Sequence, residues 1–81
     1  MKISELKDLI DEGREIEFTY NGNRFSITYG SIGGEDVISF CKFYGESTEE
    51  KTFEELLEVC TDGYSLKTML GEITEEDIWI F

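Results

Sequence analysis

The side chains of this sequence that could do chemistry are mainly carboxylates, because the chain contains 19 Asp and Glu residues, 7 Lys and Arg residues and no histidine. Without histidine, general acid–base catalysis needs a carboxyl, thiol or phenol group with a strongly shifted pKa, and apolar surroundings are what raise the pKa of a carboxyl. The acidic residues here alternate with polar neighbours, a pattern typical of exposed faces. The sequence therefore predicts a protein that is not an enzyme.

The same residues predict no metal site and no cofactor. Cys41 and Cys60 are the two cysteines, and neither belongs to a CxxC motif or has a histidine nearby, as a zinc site requires. The acidic segments lack the glycine and glutamate positions of an EF-hand loop. The glycine-rich segment 30–34 is not followed by a lysine or a helix that would bind phosphate. Both cysteines are expected to be reduced and buried as small hydrophobic residues.

The negative charge is concentrated in the second half of the chain. Residues 1–44 contain 8 acidic and 5 basic residues, a net charge of -3, whereas residues 45–81 contain 11 acidic residues against Lys51 and Lys67, a net charge of -9. A field of this sign repels nucleic acid phosphates and anionic membranes and speeds encounter with basic partners. We therefore expect no direct contact with nucleic acid or membranes, and a basic protein surface as the partner.

Length and composition predict one compact domain over residues 1–81. A chain of this length has room for a single core, and a content of 40% hydrophobic and 14% aromatic residues is too high for a disordered acidic tail. No proline, repeat or low-complexity segment marks a linker. The first residues, MKISELKDLIDE, contain no apolar run long enough for a signal peptide or a membrane span, so the expected location is the cytoplasm.

A β-hairpin is the strongest local signal. Segments 15–20 and 23–29 alternate polar and apolar residues on either side of Asn21-Gly22, the pair that suits a type I′ turn because both central residues need a positive φ. The turn and the hydrophobic pattern select the same register, so one face of the hairpin is apolar and the other polar. The predicted pairs are Tyr20 with Asn23, Phe18 with Phe25, Ile16 with Ile27, Glu17 with Ser26, and Thr19 with Arg24.

Three segments have the apolar spacing of helices. The first has Ser4 as its expected N-cap and Gly13 at the position of a left-handed C-cap. The capping box 52–55 begins a second helix, which ends at 62–63, and a third begins at Ser65. The apolar positions are Ile3, Leu6, Leu9 and Ile10 in the first helix, Phe53, Leu56, Leu57 and Cys60 in the second, and Leu66, Met69, Leu70 and Ile73 in the third.

The predicted fold is a two-layer α+β domain with the element order α-β-β-β-α-α-β. Residues 37–44 form the third strand and residues 77–81, DIWIF, form the last. We expect a mostly antiparallel sheet of three to four strands with helices on one face. The position and direction of the last strand stay open, because the two helices before it permit either direction.

The third strand carries apolar or aromatic residues on both faces, so some of them lie on the face that the hairpin leaves polar. We expect these side chains to be covered, either by the C-terminus of the chain or by a partner. Phe40, Tyr44 and Trp79 are the candidates for an apolar interface with a partner.

Helix geometry separates the acidic residues into two groups, because a negative charge stabilises the start of a helix and destabilises its end, by about 0.3–1 kcal/mol each. Several acids lie near predicted starts, where the fold accounts for them. The remaining surplus is large, since a net charge of about 2–8 in magnitude is sufficient for solubility and this chain carries -12. The predicted partner-binding residues are Glu58, Asp62, Glu72, Glu75, Glu76 and Asp77.

Four segments, EIEFTYNGNRFSIT, DVISFCKFY, FEELLEVCTDGYSLKTML and DIWIF, give the chain a pattern that resembles the small acidic proteins of phages and mobile elements in Firmicutes. The likeness spans most of the chain and includes no catalytic motif, so it assigns a role to no residue. Proteins of that kind include inhibitors of host defence, some of which resemble DNA in their charge pattern and occupy nucleic-acid sites on their targets.

Two functions are compatible with these observations. The first is a non-enzymatic acidic module that docks on a basic protein surface, with a nucleic-acid-mimicking inhibitor as one form of it. The alternative is a structural or self-associating protein, a homo-oligomer that uses the second face of the third strand and the C-terminal aromatic strand. Salt distinguishes them, because binding through charge weakens steeply as salt rises, whereas apolar association persists.

Overall fold

The computed structural model describes residues 1–61 and 63–81, without the side chain of Ile32. The predicted contact residue Asp62 lies outside the described residues. In chain order the elements are α1 (Ile3–Asp11), β1 (Ile16–Tyr20), β2 (Asn23–Ile32), β3 (Glu35–Lys42), β4 (Ser47–Glu50), α2 (Phe53–Leu57), β5 (Cys60–Thr61), β6 (Tyr64–Ser65), α3 (Leu66–Glu72), a 3₁₀-helix (Glu75–Asp77) and β7 (Ile78–Ile80).

Five of the described strands form one antiparallel sheet in the order β4-β3-β2-β1-β7. The α+β class and the mostly antiparallel sheet are therefore confirmed. The last strand pairs antiparallel with β1, which answers the question that the sequence left open. The prediction of three to four strands is wrong, because β4 adds a fifth. Its sequence, STEE, has no apolar face, and its strand conformation comes from pairing with β3.

The hairpin has the predicted register in all five pairs. Asn21 and Gly22 have φ angles of 50° and 78°, which is the left-handed conformation that the type I′ turn needs. The next pairing, between β2 and β3, places Ile27 opposite Phe40 and so puts Ile38 and Phe40 on the apolar face of the hairpin. One face of the sheet therefore carries the apolar residues of three neighbouring strands.

The three helices cover this apolar face. A single hydrophobic cluster joins its side chains to buried residues of α1, α2 and α3. Three aromatic rings lie at its centre, with ring centroids 5.2 Å apart for Phe18 and Phe25 and 5.5 Å apart for Phe25 and Phe40. The other members are Leu6, Ile10, Ile16, Ile27, Ile38, Leu56, Leu66, Met69, Leu70 and Ile73. The predicted two-layer arrangement, with helices on the face that bears Phe18 and Phe25, describes this core.

The helix boundaries differ from the predicted ones in two places. The N-cap of α1 is Lys2, which makes no side-chain capping bond, so Ser4 is not the cap. The second helix ends at Leu57 rather than at 62–63, and the residues after it form the two-stranded β5–β6 ladder. That ladder is a second, small sheet that the predicted element order omits. The Leu66 amide donates to the Val59 carbonyl at 2.9 Å. A carbonyl that would lie inside the predicted second helix therefore bonds to the start of α3 instead.

The predicted cap of α2 is present, and Ser65, where the third helix was predicted to begin, is the N-cap of α3. The Thr52 hydroxyl accepts from the Glu55 amide at 3.1 Å, and the Ser65 hydroxyl accepts from the Thr68 amide at 3.2 Å. These bonds satisfy amide groups that have no partner within a helix. The longest described helix, α1, has nine residues, and no helix in residues 1–61 and 63–81 is long and apolar enough to cross a membrane.

The two cysteines are less buried than the sequence predicts. Cys41 is half-buried on the sheet face without helices, opposite Ser26, and Cys60 is exposed in β5. The prediction for Cys60 is wrong because the helix that would bury it ends three residues earlier, at Leu57. Both thiols are free.

Candidate functional site

Four of the six predicted acidic contact residues lie in the segment that connects α3 to β7. Glu72 is the last residue of α3, and Glu75, Glu76 and Asp77 form the 3₁₀-helix. All four are exposed. We call these four residues the acidic segment. Glu58, the C-cap residue of α2, is also exposed, and within the described residues no hydrogen bond or ion pair joins it to the acidic segment.

Local hydrogen bonds hold the 3₁₀-helix. The Asp77 amide donates to the Thr74 carbonyl at 2.9 Å, and the Thr74 hydroxyl donates to the Asp77 carboxylate at 3.2 Å. The Ile78 amide donates to the Glu75 carbonyl. The pairing of Phe18 with Ile78 then fixes this turn beside the end of β1. The carboxylates do not gather around one point, since no group of three or more His, Cys, Asp or Glu residues in the described chain could hold a metal ion.

Glu72 has a structural partner that the sequence does not reveal. The Tyr20 hydroxyl donates a hydrogen bond to its carboxylate, and this bond joins β1 to the end of α3. The Tyr20 ring also packs edge-on against the Tyr64 ring, at a centroid distance of 5.4 Å. The hydrogen bond to Glu72, followed by desolvation and the nearby negative charge, raises the pKa of Tyr20 to about 12. Glu72 thus contributes to the fold as well as to the negative charge of the segment.

This contact predicts a change in the Tyr20 titration. In Glu72→Ala the pKa of Tyr20 should fall from about 12 towards its ordinary value of 10.0, because the carboxylate that disfavours the phenolate is gone. Since the pKa is raised in the folded state, the stabilisation is present below pH 10 and is lost as pH rises towards 12. NMR titration of the tyrosine ring carbons measures the shift. Asp36→Ala is the control, because it should lower the raised pKa of Tyr29 and leave Tyr20 unchanged.

An open groove with a volume of about 650 Å³ lies next to the acidic segment. Its walls come from the start of α1, the end of α3 and β7. The apolar lining residues include Leu70, Ile73, Ile78 and Ile80, and Glu5 and Glu75 also line the groove. The terminal amino group of Met1 donates to the Leu70 carbonyl at 3.1 Å and so ties the start of α1 to α3.

The sheet face without helices carries an aromatic and cationic stack. The Arg24 guanidinium lies 4.5 Å from the centroid of the Trp79 ring and 5.5 Å from that of Phe43. Two of its nitrogens donate to one oxygen of Glu17, at 3.0 and 2.7 Å. The stack depends on β7 pairing with β1, which places Trp79 opposite Glu17. Local patterns could not show this pairing.

The three residues of the predicted apolar interface lie in different environments. Phe40 is only 3% exposed and packs in the core, so it is not part of any surface and its assignment to the interface is corrected. The cause is the register of β3, which turns Phe40 towards the helices and Cys41 away from them. Tyr44 is fully exposed, and Trp79 is 40% exposed within the stack.

Comparison of the chain with protein-family models, with curated proteins and with solved structures finds no match. The functional conclusion therefore depends on the residues of the site and on their chemistry.

Proposed function

We propose that this protein is a non-enzymatic binding module that docks its acidic segment on a basic protein surface. The observation that carries the proposal is that the segment is exposed and its charge is not neutralised by the fold. Among the described residues, ion pairs join Lys7 to Asp11, Arg24 to Glu17 and Lys51 to Glu35, and none of them includes the acidic segment. A basic partner would supply the missing cations.

The placement of Glu72 and the close spacing of the other three carboxylates also favour a partner. Glu72 lies in the last turn of α3, which contains no basic residue, and a negative charge there opposes the helix dipole by about 0.3–1 kcal/mol. Three consecutive acidic residues follow in the 3₁₀-helix. Like charges at this spacing repel one another in the free protein. Contact with a basic surface relieves the repulsion and speeds encounter, particularly at low salt.

The test is binding by a variant that removes three of these charges, Glu75→Gln/Glu76→Gln/Asp77→Asn. The matched control, Asp36→Asn/Glu46→Gln/Glu49→Gln, removes the same charge from the exposed region around β3 and β4. Proteins retained from a lysate of the source organism are quantified at low and at physiological salt. We expect retention to fall with salt and the first variant to bind at least about tenfold more weakly than the control, a difference of about 1.4 kcal/mol.

Equal losses for the two variants would show that net charge alone matters and that the acidic segment is not a site. Unchanged binding in both would show that these acids only keep the protein soluble. Thermal melts of the two variants control for stability, and neither variant should melt lower than the parent protein, since both relieve repulsion.

Self-association is the second candidate, and the exposed stack on the sheet face favours it. Trp79 and Phe43 are 40% and 37% exposed on a face that none of the described helices covers. A charge of -12 on each copy opposes pairing at low salt. Sedimentation at rising salt is the measurement: association that strengthens as charge is screened and disappears in Trp79→Ser would support this candidate over the first.

A further inference from the structure

The free edge of the sheet at β7 has backbone groups available for another strand. The Phe81 amide donates to the Glu15 carbonyl at 2.9 Å, so residues 15 and 81 form a hydrogen-bonded pair of the antiparallel ladder. Hydrogen-bonded and non-bonded pairs alternate in such ladders. Residue 79 therefore also directs its backbone groups towards β1, whereas Ile78 and Ile80 direct theirs to the opposite side.

On that opposite side no other described strand pairs with β7. The Ile78 amide already donates a hydrogen bond to the Glu75 carbonyl. The Ile78 carbonyl and the amide and carbonyl of Ile80 remain directed outwards at the edge. An exposed row of this kind is a template for an added strand.

The groove lies beside this edge, on the sheet face that the helices cover, and has an apolar lining. The side chains of Ile78 and Ile80 share the sheet face of Phe18 and Ile16, their partners in the ladder, and both line the groove with Leu70 and Ile73. An added strand would place alternate side chains over this lining, because successive side chains of a strand point to opposite faces. The other edge differs, since the helix-side residues of β4 are Thr48 and Glu50, opposite Phe40 and Ile38.

We propose that the β7 edge and its groove bind an extended segment of a partner protein in which apolar and basic residues alternate, added as a sixth strand to the sheet. This inference rests on the proposed function and specifies how the basic partner is held. Backbone hydrogen bonds give such complexes their affinity, and the pockets for alternate side chains give their specificity. The apolar residues enter the groove, and the basic residues point to the opposite face of the sheet, within the negative field of the acidic residues at this edge.

The charge around the groove indicates which kind of segment binds there. Glu5 and Glu75 line the groove together with Lys2 and Met1, whose terminal amino group is cationic, and Glu76 and Asp77 precede β7 directly. The four carboxylates therefore outnumber the two cations at this place. A second copy of the chain would bring another charge of -12 to the same place, and an acidic or nucleic acid segment would be repelled in the same way. A basic strand is attracted by the same charges that keep two copies of this edge apart.

The experiment compares two fluorescent peptides with equal numbers of valine and lysine, each about six residues long, the usual length of a strand. In one peptide the two residue types alternate, and in the other they form two blocks. Binding is measured by fluorescence anisotropy with the full chain. The alternating peptide should bind at least tenfold more tightly, because only it can pair with the edge and fill the groove at the same time.

Two variants of equal charge locate the binding. Ile80→Asp places a carboxylate on the groove lining and should abolish the preference for the alternating peptide, although the added negative charge by itself favours a basic ligand. Ile80 is 44% exposed, so this change spares the core. Ser47→Asp adds the same charge at the exposed β4 edge and should keep the preference.

Equal binding of the two peptides to the parent protein overturns the strand proposal and leaves the proposed function standing. A preference that Ile80→Asp retains also overturns it. If neither peptide binds, the strand proposal is wrong, and the salt-dependent retention described above decides the proposed function by itself.

Hydrogen exchange gives an independent readout of the same geometry. In the free protein the amides of Trp79 and Phe81 should exchange more slowly than the amide of Ile80, because the first two bond to β1. Binding of the alternating peptide should slow exchange at Ile80 at least tenfold. An Ile80 amide that stays unprotected in the complex contradicts strand addition.

Discussion

Phe18→Ala is expected to lower the free energy of unfolding by about 3–5 kcal/mol, the usual loss for a buried phenylalanine. Phe18 is fully buried, and its ring lies 5.2 Å from that of Phe25 and 6.3 Å from that of Phe40. The change would remove the central ring of the core and leave a cavity between β1 and the helices. A chain of this size has a total stability of about 4–12 kcal/mol at typical values, so the loss would be a large part of the total. Urea denaturation measures the loss.

Phe43→Ala is the matched control for this change. The same side chain is removed, but Phe43 is 37% exposed and touches the Arg24 guanidinium on the open face. A cation–π contact at such a site contributes about 0.5–1 kcal/mol, so the control should lose about 1 kcal/mol or less. Similar losses for the two variants would mean that the helices do not cover the Phe18 face of the sheet.

Leu56→Ala is expected to lower the free energy of unfolding by about 2–5 kcal/mol, the usual loss for a buried leucine. Leu56 is fully buried and is the one buried residue of α2, which has five residues. A helix this short is unstable by itself, and packing on the core holds it, with Phe53 and Leu57 partly buried and Leu56 fully buried. Losing that contact should also free the segment after α2, where the Leu66 amide bonds to the Val59 carbonyl.

Two measurements together test this prediction. Urea denaturation gives the total loss, and hydrogen exchange at the Leu66 amide shows whether the segment after α2 opens before the sheet does. Leu57→Ala is the control, because Leu57 is only partly buried against the core and should cost clearly less. If the Leu66 amide has the same free energy of opening as the amides of β2, then α2 and the sheet unfold as one unit. The prediction of local opening would then be wrong.

The hairpin shows how much of the fold local sequence can predict. Alternation at 15–20 and 23–29 and the Asn-Gly turn act within a few residues of each other, so the pattern by itself gives all five pairs of the register. The caps at Thr52 and Ser65 are local in the same way, since each side chain bonds to an amide three residues later. The hairpin register and the Thr52 cap are predicted correctly because the interactions that decide them lie close together in the chain.

The strands and boundaries that the pattern misses depend on distant partners. The sequence of β4 is polar throughout, and pairing with β3 makes it a strand. The apolar spacing extends the second helix to Cys60, but the helix ends at Leu57, and Cys60 and Thr61 pair with Ser65 and Tyr64 instead. In both places a contact with another element outweighs the local preference.

The sequence by itself determined the excess of acidic residues, its concentration after residue 44 and the amphipathic hairpin, because these follow from composition and near neighbours. It also brought Glu72, Glu75, Glu76 and Asp77 together, since they lie within six residues of the chain. Only the tertiary structure decided what surrounds them. Tyr20 reaches Glu72 across 52 residues, and the groove combines the two ends of the chain with the end of α3. Such sites form when distant segments pack on one core, and no local pattern encodes which segments will meet.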